Sequence, residues 1–176
     1  LPICEHAVLR GCPALVFPLT GKTMHISYEP EMTENCESQG NLSLELIGEH
    51  GDELRLLFWG VLEKALMDLK MSRQQLSGHI RLESSLPIGA GLGASATLCV
   101  ALGRWLQFLG HVKEENLYEF CRNLENLFHG ESSGVDIAVA LSGKGLHFER
   151  GGDSYRLNPK WKPQWYVSYS GQRGMT

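Results

Sequence analysis

The chain is 176 residues long, enough to bury one good core but short for two domains. A formal net charge of −4 gives no basic field for nucleic acid or an anionic membrane, and no apolar run approaches the roughly 18 residues that a membrane-spanning helix needs. Five cysteines (Cys4, Cys12, Cys36, Cys99, Cys121) never fall into C-x-x-C and seven histidines form no H-x-x-x-H pair, so neither a thiolate metal site nor a disulfide framework is indicated. A reducing, cytoplasmic setting is the expectation, with neither membrane nor nucleic acid as a partner.

In chain order, residues 7–9, 14–19 and 25–28 read as short strands broken by Gly11, Pro13 and Gly21. Residues 29–40 are polar and read as a loop, after which Leu42, Leu44 and Leu46 alternate with polar neighbours as a half-buried strand. From 53 to 70 the period changes. Leu54, Leu57, Phe58, Val61, Leu62, Ala65, Leu66 and Leu69 follow i, i+3, i+4 spacing and predict an amphipathic helix. Ile80, Leu82, Ser84 and Leu86 then alternate as a strand that runs into Pro87. Three helices follow: one to about Leu109, one from about Glu114 to Phe128, and a short one from near Ser133 to before Gly143. The second of these places Leu117, Phe120, Cys121, Leu124, Leu127 and Phe128 on its core face. Residues 145–148 and 165–169 read as strands. With no repeat and no low-complexity segment, the fold class is α+β.

Between the strand at Leu86 and the helix that follows lies Gly89-Ala90-Gly91-Leu92-Gly93-Ala94-Ser95. A glycine-rich turn of this kind puts bare backbone N–H groups at the positive end of a helix, where phosphate oxygens are natural ligands. Ser95 adds a hydroxyl suited to a phosphate or Mg²⁺. A plain strand-to-helix turn accounts for the glycines equally well. A Walker A loop does not, because no Gly-Lys-Ser/Thr follows. The dinucleotide fingerprint matches at Gly89, Gly91 and Ala94, but it requires a parallel strand after the helix, where this sequence opens another helix at Glu114 and Glu115.

The longer string Leu86-Pro87-Ile88-Gly89-Ala90-Gly91-Leu92-Gly93-Ala94-Ser95-Ala96 resembles the phosphate loop of the kinase superfamily named for galactose, homoserine, mevalonate and phosphomevalonate, whose pattern is P-x-x-x-G-L-G-S-S-A. Ala94 stands in place of the first serine. A second segment supplies Glu125, His129, Gly130, Ser133, Gly134, Val135 and Asp136 and resembles E-x-x-x-H-G-x-P-S-G-V-D of the mevalonate branch, with Ser132 in place of proline. A third, Cys4-Glu5-His6-Ala7-Val8-Leu9-Arg10-Gly11-Cys12-Pro13-Ala14-Leu15, resembles that branch's amino-terminal motif. Cys4 replaces a glycine there, and the motif's lysine would fall two residues before Leu1.

The resemblance implies an α+β, two-layer sheet-and-helix domain like the ribosomal protein S5 domain 2-like amino-terminal domain of the superfamily, with a left-handed crossover. Residues 1–176 would be the amino-terminal ATP-binding catalytic domain, the carboxy-terminal domain lying outside this chain. The implied activity is transfer of the γ-phosphate of ATP to mevalonate, giving 5-phosphomevalonate for isoprenoid precursors. The chain on its own would be weakly active or inactive. A related kinase for another hydroxy acid or sugar, and a degenerate non-catalytic nucleotide-binding module, are the alternatives, and a homodimer is left open.

ATP would lie on Pro87, Gly89, Ala90, Gly91, Leu92, Gly93, Ala94, Ser95 and Ala96. Ser95 and Glu125 would hold Mg²⁺, a hard cation that takes few protein oxygens. Asp136 would accept the proton of the substrate hydroxyl. Glu5, His6, Asp136 and Thr176 would meet the substrate. Taken singly, these residues have plainer readings. Ser133 to Asp136 has the spacing of a capping box, and Glu125 reads as a solvated carboxylate at the edge of its helix.

Overall fold

The computed structural model describes residues 2, 3, 5–31, 40–48, 51–151, 154–158, 160 and 166, the side chains of residues 2, 3, 5, 6, 51 and 129 excepted. The strands are β1 (Pro2–Ile3), β2 (Ala14–Val16), β3 (Met24–Glu29), β4 (Leu42–Ile47), β5 (Gly78–Ser84), β6 (Leu146–Phe148) and β7 (Tyr155–Arg156). The helices are α1 (Glu5–Val8), α2 (Gly51–Asp68), α3 (Ala94–Phe108), α4 (Leu117–His129) and α5 (Val135–Ser142).

One sheet runs β3-β5-β4, with β3 antiparallel and β4 parallel to the central strand. Its period-2 pattern is clean. Ile80 and Leu82 are fully buried while Arg81 and Glu83 face out, and Leu42 and Leu44 do the same beside them. The parallel pair β4 and β5 is joined by α2, whose predicted stripe buries Leu54, Phe58, Val61, Leu62, Ala65 and Leu66. Helices α3 and α4 complete this larger core through Leu98, Leu102, Leu106, Cys121 and Leu124. A second sheet runs β1-β2-β6-β7, antiparallel throughout. It forms a smaller core of Val8, Val16, Leu146 and Phe148 with Val135 and Val139 of α5.

Three expectations change. Residues 7–9 are not a strand but the end of the one-turn helix α1, closed by hydrogen bonds from Arg10 N to Ala7 O and from Gly11 N to Val8 O, each 3.0 Å. Val8 alone reaches the core, and Leu9 is 42% exposed. The strand at 14–19 stops at Val16, since Pro18 has no N–H to give a ladder. Leu127 is 51% exposed and lies at the rim of the α4 core face, near Gly60. The strand read at 165–169 lies outside the described residues, apart from Tyr166. The strand β7 carried no signal in the sequence beyond two exposed residues.

Helices α3 and α4 meet where Gly103 has no side chain. A Cβ there would stand 2.5 Å from Cys121 Sγ and 3.2 Å from Leu117 Cδ1. Valine at this place gains only a few tenths of a kcal/mol in helix propensity over glycine. It adds three carbons to a closed contact, and overpacking of that kind costs about 1–3 kcal/mol. Gly103→Val is therefore expected to lower the urea midpoint of unfolding with an unchanged slope; an unchanged midpoint would show that the two helices are not in contact there.

Candidate active site

The loop before α3 is built as its glycines suggest. Gly89, Gly91 and Gly93 have φ of 74°, 67° and 71°, a region in which a Cβ is penalised. Gly93 is the cap residue of α3 and provides no capping side chain, which leaves the first-turn N–H groups available to an outside acceptor. Thr97 ties the loop down: its amide and its hydroxyl both donate to Gly93 O, at 2.9 and 2.8 Å. Ser95 is half-buried in that first turn. Ala96 is fully buried and packs into the larger core.

Asp136 comes to this loop from α5. Val135 and Ile137 lie about 200° apart around the helix, and they are buried in different cores, Val135 in the smaller and Ile137 in the larger. That fixes the rotation of α5 and puts Asp136 in the seam. A Cβ on Gly93 would lie 3.7 Å from the Asp136 carboxyl carbon and from Oδ1, so the carboxylate packs against the bare Cα of the loop's last glycine. The capping-box reading fails, because the cap residue of α5 is Gly134, at φ 79°, with no side-chain cap. Ser133 Oγ instead accepts from Val135 N at 3.4 Å.

Glu125 is not an edge carboxylate. It is 4% exposed, on the α4 face that turns inward between Cys121 and Leu124 on one side and the turn at 130–134 on the other. The hydroxyl that meets it belongs to Ser132, which donates to Glu125 Oε2. Burial raises its pKa from the ordinary 4.5 to about 7, the Ser132 hydrogen bond works against that, and the charge of Asp136 adds to it. Two buried thiols flank the carboxylate. Burial pushes Cys121 up to about 12 and Cys99 higher still, with Glu125 the next cause for Cys99, so both stay neutral.

An open cleft of about 370 Å³ leads away from the seam. Gly93, Thr97 and Asp136 stand at one part of it, an apolar wall includes Val100, Val139 and Met24, and Lys22 and Arg104 supply positive charge. Thr97 and Arg104 escaped the sequence reading, although they repeat the i+4, i+11 spacing from Gly93 along one face of α3. Lys22 carried no signal, since only the fold brings the turn before β3 to this place.

The predicted residues therefore come together in part. Asp136 lies on the loop at Gly93, and its charge reaches Glu125. Glu5 and His6 open α1, but their side chains lie outside the described residues, as does the side chain of His129 and the whole of Thr176. The donor chemistry fits Mg²⁺: a buried carboxylate, a second carboxylate that repels it, and a loop suited to phosphate. Among the described residues no three of His, Cys, Asp and Glu group into a metal site. A cation here would thus take phosphate and water oxygens beside one or two protein ligands, as Mg²⁺ does.

Because the folded state holds the Glu125 proton more tightly than the unfolded chain does, it binds more protons between pH 4.5 and about 7. The cation-free protein should lose stability as pH rises through that window. Glu125→Gln, which cannot ionise, is expected to flatten this slope in melts taken across the range; an equal slope in both proteins would place the titration elsewhere.

The family described as GHMP kinases N terminal domain matches residues 57–144, half of the chain and the segment that holds the loop, Glu125 and Asp136. Mevalonate kinase of Thermococcus sibiricus is 30% identical over 191 residues, covering 98% of this chain and 55% of that protein. Mevalonate kinase of Aeropyrum pernix is 34% identical over 167 residues, covering 88% of this chain and 49% of that protein. The chain thus spans about half the length of these relatives. Among solved structures, L. major mevalonate kinase in complex with R-mevalonate superposes with a TM-score of 0.59 at 23% identity, over 86% of this chain and 47% of that one. The Methanococcus jannaschii mevalonate kinase gives 0.60 at 16% identity, over 91% and 56%. Those likenesses show the fold: mixed sheets and helices arranged as in mevalonate kinases. With the glycine loop, the two carboxylates and the matched segment in agreement, the chain belongs to the GHMP kinase family through its amino-terminal domain.

Proposed function

We propose that this chain is the amino-terminal catalytic part of a cytoplasmic enzyme that transfers the γ-phosphate of ATP to mevalonate. The observation that carries the reading is the seating of the Asp136 carboxylate on Gly93, at the mouth of the phosphate-type loop. Its substrate half rests on the relatives' names and on the segment from Glu125 to Asp136. The S5-like character of the domain belongs to the same reading.

Phosphoryl transfer asks the protein for position and charge more than for covalent chemistry. The loop from Pro87 to Ala96 would hold the β- and γ-phosphates on its amides, with the α3 dipole behind them. The nucleoside would extend into the cleft beside Lys22. Glu125 and Ser95 would hold Mg²⁺, which when bound neutralises charge shared between the phosphates. Asp136 would orient the acceptor hydroxyl and take its proton as the oxygen attacks phosphorus. Glu5, His6 and Thr176 would line the acceptor side.

The test is an ADP-release assay on the intact protein with mevalonate, galactose and homoserine, run beside Asp136→Asn. Mevalonate is expected to be turned over far better than the others. The variant should lose about 10²-fold or more in kcat while melting normally, because Gly134, not Asp136, caps α5. Equal or absent turnover with mevalonate would overturn the substrate assignment. A variant that melts lower but keeps its turnover would remove Asp136 from the chemistry.

A further inference from the structure

The turn from Gly130 to Gly134 joins α4, which carries Glu125, to α5, which carries Asp136. Its middle residue, Ser132, is 3% exposed, as enclosed as Glu125 itself at 4%. Ser132 ties the turn both to α4 and to the start of α5. Its amide donates to Asn126 Oδ1, one residue along from Glu125, at 2.7 Å. Its hydroxyl oxygen accepts from Gly134 N at 3.0 Å. Its hydroxyl proton goes to Glu125 Oε2.

This arrangement has little freedom. A serine hydroxyl has one proton, and the Gly134 amide already fills one of its lone pairs, so the proton is aimed at the carboxylate. Gly134 in turn cannot shift easily. A Cβ there would lie 2.2 Å from Tyr118 Oη and 3.0 Å from Arg122 Cδ, so the backbone is pressed against α4. The clamp therefore runs from α4 through Asn126 and Ser132 to the cap of α5 and back to Glu125. Proline, which the resembled motif carries at this position, has neither the hydroxyl nor the amide hydrogen, so the clamp is a feature of this sequence.

We propose that Ser132 is the positioning residue of the cation site, its hydroxyl holding Glu125 Oε2 so that Oε1 is presented to a divalent cation. The inference rests on the reading of Glu125 as a cation ligand and deepens it. A buried carboxylate with one oxygen fixed by a hydroxyl is a monodentate ligand of set direction. Loss of a partner of this kind, one step out from the metal, typically costs about 10- to 100-fold in metal affinity. The inference also explains why a hydroxyl is buried beside a carboxylate in a place where an apolar side chain would pack.

The experiment is a titration of the intact protein with Mn²⁺ in the presence of ADP, free Mn²⁺ being followed by its paramagnetic resonance signal. Ser132→Ala is expected to weaken Mn²⁺ binding about tenfold or more and to lower the melting temperature, since Gly134 N loses its acceptor, with ADP affinity in chelator little changed. Ser132→Thr, which keeps the hydroxyl, should bind Mn²⁺ close to the parent protein. Parent-like Mn²⁺ affinity in Ser132→Ala overturns the proposal. So does a parallel fall in metal-free ADP affinity, which would mark a general loosening of the turn. Should Ser132→Ala not fold, the threonine variant decides alone: a well-folded Ser132→Thr that has lost Mn²⁺ binding refutes the hydroxyl clamp. If the parent protein binds no Mn²⁺ with ADP, the cation reading of Glu125 falls and the inference with it. If Mn²⁺ binding depends on Ser132 but mevalonate is not turned over, the inference stands and the substrate assignment falls.

Discussion

A carboxylate buried to 4% exposure, with a second carboxylate close enough to raise its proton affinity, is an expensive thing to build into a domain of this size. Glu125 could be solvated at no cost one helix face away. Instead α4 turns it inward, and α5 brings Asp136 up beside it. The cost is met locally by a hydroxyl and by protonation near neutral pH. Each of these compensations is weaker than a cation and its phosphate oxygens would be. The site is arranged as if part of its charge balance arrives with the ligand.

The two cores are what hold the carboxylates in place. Had α5 belonged to one core, it could roll to move Asp136 away from the loop. Because Val135 and Val139 are packed against β2 and β6 while Ile137 enters the larger core, rolling would expose apolar surface on one side or the other. Similarly, the contact at Gly103 sets α4 at a close distance from α3, and with it the distance from Glu125 to the loop. Fold and site are therefore not separable here: the positions that look purely structural set the spacing on which the chemistry depends.

Much of this was legible in the sequence, for physical reasons. Periodicity located α2, β4 and β5, since one face of each is buried and the other is not. The glycines at 89, 91 and 93 announced left-handed backbone, and all three have it. What was not legible is what depends on distant contacts. Residues 7–9 look like a strand because Ala7, Val8 and Leu9 form a short apolar run, which a single helical turn supplies equally well. Glu125 looks like a surface residue because its helix is amphipathic and the turn that covers it comes later in the chain. The spacing from Ser133 to Asp136 imitates a capping box, and only the φ of Gly134 shows that the helix starts one residue later than the box requires. Ser132 drew notice merely as a departure from a motif, whereas the structure gives it partners on both sides.

The central claim is that the loop before α3 and Glu125 of α4 form one cation–phosphate site. It is tested most directly by anomalous diffraction from crystals of the intact protein grown with Mn²⁺ and a non-hydrolysable ATP analogue. The account predicts a metal peak between the analogue's phosphates and the protein, within about 2.1 Å of Ser95 Oγ and of one Glu125 oxygen, as magnesium-type coordination requires. A peak coordinated away from Glu125, or side chains of Ser95 and Glu125 that stand more than about 10 Å apart and so cannot share an ion, would contradict it.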